Sequence, residues 1–534
     1  MSVAPNGHSP LFGPDVRNFS PCNKSTGNIL DMFPVWIGFL IVGALLLVFR
    51  RRKQLRYHPG VPIHEMEAVS SSMLLSEVDP ENNAQVTIVT LLIFEEKLQY
   101  EHFRERFVEN VIQSDPDSRF LYRLDSSFQT PRWIKATGWH PFDNFVCISD
   151  QQDIESCKHL MSTRMTDPLD VRKPVWECAF IDTFITSESA SVSAVILTMH
   201  HSMGDGFTLC HQLMRRAIPA DPGITMHDCY PFQAPSASPI RSWADSFMRR
   251  FHQMQGIISS AGKLLLLQPD PISPLRNSTR RRLDDKIVCD ISLLDLTVND
   301  LKKIAKDATE YFKRDTRISI NDVVVAAISL AFQEVLGEKH RHDITSAIWV
   351  GLNRKSVIDR PRNRCDDWGN QNLGVSYLNL PTGDESLQSP DKMLLECHKR
   401  LCDMKSSPEP IVANGLLKVL GSVPFWCIWP FRYLLMDKMS ASISNFPGPT
   451  KRIRLPASLE GETGPGVGTL KEVYFTVAPP FSYGPYVTMA SYNGRMQLAI
   501  TIAEKLMPEE TVQEIVRHKI PKAFHSIAQV VRRQ

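Results

Sequence analysis

A run of residues that could do acid–base chemistry lies at positions 200–206 and reads His-His-Ser-Met-Gly-Asp-Gly. It directly follows an apolar, β-branched run at 192–198 that predicts a buried strand, and it precedes a helix-like pattern at 207–214. Imidazole has an ordinary pKa of about 6.5, so a histidine here could take a proton from a hydroxyl near neutral pH. The pattern predicts base-assisted attack by an acceptor hydroxyl, with the base held at a strand end.

Side chains alternate along a strand, so one of the adjacent His200 and His201 is expected to face a cleft and the other the scaffold. The same residues allow two alternatives. Two histidines near Asp205 are also typical of a hydrogen-bonded structural cluster, or of part of a metal site. Zinc is the weaker alternative, because no cysteine or third histidine stands at ligand spacing and the HExxH helix pattern is absent.

Further motifs accompany HHxxxDG along the chain. They are residues 168–176 (PLDVRKPVW), Asn321-Asp322, Gly369-Asn370, residues 444–449 (SNFPGP) and residues 491–494 (SYNG). Taken in order, they resemble the motifs PLxxxxPLW, HHxxxDG, ND, GN, SNxPGP and SYxG of the wax ester synthase/diacylglycerol acyltransferase family, with Val175 where leucine is usual. That family is part of the CoA-dependent acyltransferase superfamily. Motifs in the family's order are far harder to obtain by chance than any one of them.

The resemblance implies a mixed α/β fold of two chloramphenicol-acetyltransferase-like subdomains around a central tunnel. It identifies His201 as the general base, assigns His200 and Asp205 to the support of the loop, and implies that Gly206 lets the chain approach closely. By themselves Asn321 and Asp322 are typical of a helix N-cap. In the family the asparagine lies near the reacting carbonyl, where its amide N–H₂ could stabilise an oxyanion, so the pair is also the candidate oxyanion and substrate-binding site.

The implied reaction moves a long-chain acyl group from acyl-CoA, as co-substrate, to a lipid alcohol, and it forms wax ester, triacylglycerol or both. No metal and no tightly bound cofactor are implied. The sequence does not separate a fatty alcohol from diacylglycerol as acceptor, and it does not define the CoA contacts or the oligomeric state. The alternatives are a catalytically silent lipid-binding or scaffold protein of the same fold, and an amide-forming condensation enzyme, which would be expected beside a carrier or adenylation module.

The length of 534 residues exceeds that at which a single hydrophobic core keeps growing, which predicts two subdomains. We place them at 84–267 and 284–534, with a crossover linker at 268–283 where the chain is Pro-rich and then basic. The net charge of +2 gives no reason to expect a nucleic-acid partner. Local patterns further predict strands at 84–93 and 175–181, an amphipathic helix at 100–113 and an apolar helix at 323–335.

The N-terminal region predicts attachment to a membrane. Residues 32–49 are uncharged and are followed by four basic residues at 50–53, as in a single-pass anchor with a cytosolic C-terminal side. Residues 1–31 are then a disordered lumenal tail, which carries sequons at Asn18 and Asn23, and residues 50–83 are a cytosolic linker. These features, together with the resemblance, predict a protein of the endoplasmic reticulum membrane, of the membrane-anchored eukaryotic type, with lipid droplets as a second candidate location.

Overall fold

The structure, a computed structural model, describes residues 63–77, 85–116, 118–125, 131–229, 267–276, 285–313, 317–352, 368–370, 373–384, 387–422, 438–457, 464–479 and 484–532. All of them fall within the unit Gly60–Gln534. The predicted lumenal tail and anchor, residues 1–49, lie outside the described residues. Within those ranges, no helix is long and apolar enough to cross a bilayer.

Sixteen strands among the described residues form three sheets. In chain order they are β1 (Ile63–Glu65), β2 (Thr87–Phe94), β3 (Tyr122–Asp125), β4 (Arg132–Lys135), β5 (Phe145–Ile148), β6 (Trp176–Ile185), β7 (Ser191–His200), β8 (Ile218–Pro219), β9 (Ile287–Thr297), β10 (Ile344–Gly351), β11 (Leu373–Leu380), β12 (Ala441–Pro447), β13 (Ile453–Leu455), β14 (Gly468–Val477), β15 (Tyr486–Tyr492) and β16 (Arg495–Ala503). A seven-stranded sheet has the order β5-β6-β7-β2-β14-β13-β8, a six-stranded sheet has the order β11-β10-β12-β15-β16-β9, and β1-β4-β3 form a small third sheet.

Helices connect and cover these strands, so the predicted mixed α/β fold is confirmed. The α-helices are α1 (Ala68–Ser72), α2 (Tyr100–Phe107), α3 (Ile154–Thr166), α4 (Gly206–Met214), α5 (Met226–Cys229), α6 (Val298–Tyr311), α7 (Ile320–Leu336), α8 (Pro390–Ser406), α9 (Glu409–Ser422), α10 (Glu509–Glu514) and α11 (Ile520–Arg532). Short 3-10 helices lie at Met73–Ser76, Arg119–Leu121, Pro141–Asn144 and His201–Met203, and π-helical turns lie at Val108–Ile112 and Ile515–Lys519.

The elements predicted from local patterns are present with shifted ends. The strand predicted at 84–93 is β2, the one at 175–181 is β6, and the helix at 323–335 is α7. The helix predicted at 100–113 is α-helical only to Phe107 and continues as the π-helical turn Val108–Ile112.

Strand β2 shows how the two large sheets share a core. All eight of its residues are buried, because it lies inside the seven-stranded sheet with apolar side chains on both faces. Even-numbered apolar residues of β2 join one hydrophobic cluster, whereas odd-numbered ones join a second that also holds residues of α3, β9 and β16. The second cluster therefore packs the seven-stranded sheet against elements of the six-stranded one.

The second half of the chain also completes the first sheet. Strand β14 pairs antiparallel with β2, and β13 pairs with β8. A buried ionic cluster adds a further tie, in which Asp290 of β9 lies 2.6 Å from Lys158 Nζ of α3 and accepts from the guanidinium of Arg517 at 3.1 Å. The sheets are thus interlocked along the sequence, and the division into subdomains at 268–283 stays a prediction.

The SYxG motif ends β15 and joins the two large sheets. Asn493 and Gly494 have φ values of 47° and 75°, as in the two-residue hairpin turn that connects β15 to β16. The buried hydroxyl of Tyr492 donates to the carbonyl of Leu470 at 2.8 Å and accepts from the N–H of Ile453 at 3.1 Å. A residue of the six-stranded sheet therefore closes two hydrogen bonds to the seven-stranded sheet.

Replacing Tyr492 by phenylalanine is expected to lower the unfolding free energy by about 1–3 kcal/mol, because it leaves buried main-chain groups without a partner. Urea unfolding followed by tryptophan fluorescence measures the change. The matched control is Tyr474→Phe, whose hydroxyl donates within its own strand, to the carboxylate of Glu472. Equal urea midpoints for the two variants would show that the hydrogen bonds of Tyr492 between the sheets add no more stability than the bond of Tyr474 within its strand.

Candidate active site

The HHxxxDG residues occupy a strand end, a turn and a helix start, as predicted. Strand β7 ends at His200, the 3-10 turn His201–Met203 follows, and Asp205 caps α4. His201 thus begins the turn and does not continue the strand. The main-chain N–H of His201 donates to the carbonyl of Val86 at 2.8 Å, which fixes the turn to the start of β2.

His200 faces the scaffold and is fully buried. The main-chain N–H of Ser202 donates to its Nδ1 at 3.1 Å, so we assign the ring proton to Nε2. Nε2 then donates to Oε1 of Glu77 at 2.5 Å, and the Ser202 hydroxyl lies 2.6 Å from Nδ1. Both ring nitrogens of His200 are therefore hydrogen-bonded within the protein, as expected for a residue that supports the loop.

His201 has a different environment. Its side chain is buried, and its Nδ1 has no hydrogen-bond partner within the described part of the chain. Burial lowers the pKa of His201 to about 4, with nearby His200 acting in the same direction and the main chain of His201 and the side chain of Asn370 opposing it. The imidazole is therefore neutral at pH 7 and can accept a proton.

Asp205 holds the helix that follows the turn. Its buried carboxylate accepts from the N–H of Thr208 at 2.7 Å, as an N-cap does. Gly206 begins α4 directly against Phe475 of β14, because a Cβ at position 206 would lie 2.6 Å from Cζ of that ring. Glycine at position 206 therefore leaves room for the neighbouring aromatic ring of Phe475.

Adding a methyl group at position 206 is expected to disturb the HHxxxDG turn. Gly206→Ala should lower kcat by about 10- to 100-fold, since small displacements of positioned groups cost rates of this order. The double variant Gly206→Ala/Phe475→Leu removes the clash and should recover most of the lost rate, while Phe475→Leu alone serves as the reference. Steady-state acyl transfer measures all three, and failure of the double variant to recover would exclude a steric cause.

The Gly369-Asn370 pair packs on the HHxxxDG turn. The N–H of Gly369 donates to the carbonyl of Met203 at 2.9 Å, and the Asn370 Nδ2 donates to the carbonyl of His201 at 2.8 Å. Gly369 has φ +92°, and a Cβ there would lie 2.9 Å from the carboxylate of Glu67. Glycine is therefore needed for both conformation and space, and Asn370 directly holds the main chain of the candidate base.

The ND and SNxPGP motifs meet each other. Nδ2 of Asn445, on β12, donates to Oδ1 of Asn321 at 2.6 Å. The next residue, Phe446, packs against Phe475 with ring centroids 6.1 Å apart, and Phe475 is the ring that contacts Gly206. A continuous set of contacts thus connects Asn321 with the HHxxxDG loop.

The prediction that the ND pair supplies the helix N-cap is wrong. The N-cap of α7 is Ser319, and Asp322 is the third helical residue, with its carboxylate accepting from the N–H of Ser319 at 2.7 Å. The fully buried Asp322 also lies 2.9 Å from Nδ1 of His398 and 3.5 Å from Nζ of Lys405. The Ser-x-x-Asp capping box that carries this signal was present in the sequence.

The PLxxxxPLW-like segment leads into the same region. Trp176 is fully buried, its Nε1 donates to the carbonyl of Phe120 at 3.0 Å, and its ring packs edge-to-face on Phe120. The carbonyl of Val175 accepts from the N–H of His200 at 3.0 Å. This segment therefore supports the strand end that carries the histidines.

Sequence reasoning missed the contribution of residues 63–77, which fell within the predicted linker. They form β1, α1 and the turn Met73–Ser76, and they place Glu77 against His200 and Ser70 against Asn370. Their apolar residues Val69, Met73 and Leu74 are buried. That spacing in the sequence is typical of one face of a short helix and was the available signal.

Two segments of the chain match models of one protein family. Residues 150–283 match the wax ester synthase/diacylglycerol acyltransferase catalytic domain, and residues 368–518 match the WS/DGAT C-terminal domain. A probable diacylglycerol O-acyltransferase of Mycobacterium tuberculosis is 23% identical over 380 residues, which cover 66% of this chain and 75% of that protein.

Solved structures share the fold. The wax ester synthase/diacylglycerol acyltransferase from Marinobacter aquaeolei superposes with a TM-score of 0.53 at 15% identity, covering 88% of this chain and 99% of that one. The starter condensation domain of rhizomide synthetase in complex with C8-CoA gives a TM-score of 0.51 at 12% identity, covering 87% and 95%. The fold is therefore that of the acyltransferases and condensation domains.

The family matches identify an acyltransferase, and its HHxxxDG residues lie at the end of β7. The chain belongs to the wax ester synthase/diacylglycerol acyltransferase family.

Proposed function

We propose that this protein transfers a long-chain acyl group from acyl-CoA to the hydroxyl of a lipid alcohol, with His201 as general base, and forms wax ester, triacylglycerol or both. The observation that carries the proposal is the buried imidazole of His201, whose Nδ1 has no hydrogen-bond partner among the described residues and whose main chain is held by Asn370 and Val86. The names of the M. tuberculosis and M. aquaeolei relatives support a lipid acceptor, and the C8-CoA complex of a protein with this fold supports acyl-CoA as donor.

The proton transfers follow from the state of His201. As the acceptor oxygen attacks the thioester carbonyl, the neutral imidazole takes the hydroxyl proton. When the tetrahedral intermediate collapses and the C–S bond breaks, the imidazolium returns that proton to the CoA thiolate. The residue is thereby restored, so that no covalent enzyme intermediate enters the cycle.

Asn321 is the proposed donor to the oxyanion. Its Oδ1 is occupied by Asn445, which leaves the amide N–H₂ as the group that would donate to the negative oxygen. A donor of this kind acts only on the charge that develops in the intermediate, and so it would raise kcat. Asp322 is assigned to holding the start of α7, because its carboxylate is bonded to Ser319 and His398.

The proposed setting is a membrane. The uncharged residues 32–49 with the basic cluster at 50–53 would anchor the chain in the endoplasmic reticulum, with the catalytic part in the cytosol. This topology places the sequon at Asn18 in the lumen and the one at Asn277 in the cytosol. A glycosidase-sensitive mass shift that maps to Asn277 would contradict this orientation.

The test of function supplies the donor and both acceptors. Membranes containing the full chain are incubated with labelled palmitoyl-CoA and either hexadecanol or diacylglycerol, and the products are separated as wax ester and triacylglycerol. Ester that requires both substrates is the expected result, and the faster acceptor defines the preferred alcohol. Bound palmitoyl-CoA without ester from any alcohol would instead favour the catalytically silent scaffold.

A further inference from the structure

Residues 63–77 lie outside both segments that match the family, yet they contact His200 and Asn370, two of the residues that hold the HHxxxDG turn. Glu77 is 123 residues from His200 in sequence, and Ser70 is 300 residues from Asn370. Contacts so distant in sequence are made only in the folded chain. They bring an otherwise unassigned segment to the reaction site.

The first contact acts through His200. Glu77 accepts from Nε2 of His200 at 2.5 Å, and its side chain is only 13% exposed. The opposite ring nitrogen accepts from the N–H of Ser202, which lies in the turn that His201 begins. The carboxylate of Glu77 thus fixes the ring of His200, and that ring fixes the turn.

The second contact acts through Asn370. The buried Ser70 hydroxyl accepts from the main-chain N–H of Asn370 at 3.1 Å and from its Nδ2 at 3.2 Å. The same Nδ2 donates to the carbonyl of His201 at 2.8 Å. Ser70 therefore fixes the amide that holds the main chain of the general base.

The segment itself is firmly docked. Glu67 forms a buried ion pair with Arg119 at 2.6 Å, and β1 pairs with β4. Helix α9 approaches α1 so closely that a Cβ at Gly421 would lie 1.5 Å from the carbonyl oxygen of Ala68. Contacts of this kind give α1 one position relative to the site.

We propose that residues 63–77 are an integral part of the transferase site, in which Glu77 positions His200 and Ser70 positions Asn370, so that His201 is held from two sides. The inference rests on the proposed function, since its kinetic effect is on acyl transfer. Both are positioning residues, because each acts through another side chain. The segment that follows the predicted anchor is thereby part of the reaction site and is not a spacer.

The experiment compares full-length variants that keep or remove one hydrogen-bond acceptor. Glu77→Gln keeps an oxygen for Nε2–H of His200 and should stay within about threefold of the wild-type kcat, whereas Glu77→Leu should lose about 10- to 100-fold with KM for palmitoyl-CoA little changed. Ser70→Ala is a smaller change that should disturb folding less, and its kcat should fall by about tenfold. Ser526→Ala on α11 is the matched control and should keep the wild-type kcat, because Ser526 lies outside residues 63–77 and its hydroxyl donates within its own helix, to the carbonyl of Lys522.

A second readout does not depend on turnover. Diethyl pyrocarbonate modifies accessible neutral histidines, and tandem mass spectrometry assigns the modification to His200. His200 should be protected in the wild type and in Glu77→Gln, and it should react at least about tenfold faster in Glu77→Leu, because the loss of its acceptor releases the ring. If the wild type makes no ester, the proposed function fails, and the labelling still decides whether Glu77 holds His200.

Two results would overturn the inference. One is wild-type kcat together with unchanged His200 protection in Glu77→Leu. The other is an equal loss in Glu77→Gln and Glu77→Leu, since a retained acceptor would then give no advantage. The inference is supported if Glu77→Gln keeps a near-wild-type kcat, while Glu77→Leu turns over slowly and its His200 becomes reactive.

Discussion

Replacing His201 by alanine is expected to lower kcat for ester formation by about 10²–10⁴-fold, the range that a general base contributes. The acceptor alcohol would have to lose its proton without help, while KM for palmitoyl-CoA should change little because the thioester can still bind. The measurement is steady-state transfer of labelled palmitoyl groups to the preferred alcohol. The exposed His159 of α3 provides the matched control, and His159→Ala should keep the wild-type rate.

The pH dependence of the wild type tests the same assignment. Since burial holds the pKa of His201 at about 4, the base form persists as the pH falls through the range in which an ordinary histidine becomes protonated. The kcat should therefore change little between about pH 7 and pH 5.5, whereas a base with the ordinary value of about 6.5 would lose roughly eightfold. An acidic limb centred near pH 6.5 would contradict a buried His201 base, as would substantial turnover by His201→Ala.

Alanine variants of the two ND residues are expected to have different effects, one on stability and the other on kcat. Asp322→Ala should lower the unfolding free energy by about 3 kcal/mol, because it removes the capping-box bond to the N–H of Ser319 and a buried hydrogen bond to His398. Asn321→Ala should leave stability unchanged and lower kcat by about 10²–10³-fold, as expected for loss of an oxyanion donor. Urea unfolding and steady-state transfer are measured on both variants.

The control for the first effect is Asp322→Asn, which keeps an oxygen for the N–H of Ser319 and should be destabilised less than the alanine variant. A stable Asp322→Ala protein with collapsed kcat would assign the carboxylate to the reaction. For Asn321, an unchanged kcat would leave its contact with Asn445 as a purely structural one.

Local chemistry in the sequence was enough to predict several elements of the site. The run at 192–198 and the pattern at 207–214 predicted β7 and α4 because apolar periodicity reflects which faces are buried. The linker prediction failed at residues 63–77, since a helical stretch of nine residues is too short to give a clear periodic signal. Its stability comes from packing on α9 and β4, which no local pattern contains.

The sequence by itself determined the class of chemistry, because the motifs place an imidazole, an amide and flexible glycines in the family's order. It could not determine which groups meet. The tertiary structure decided that Asn370 bonds to the main chain of His201, that Asn445 orients Asn321, and that Glu77 and Ser70 reach the site. It also decided that His201 is neutral, since a depressed pKa requires the removal of water by residues distant in sequence.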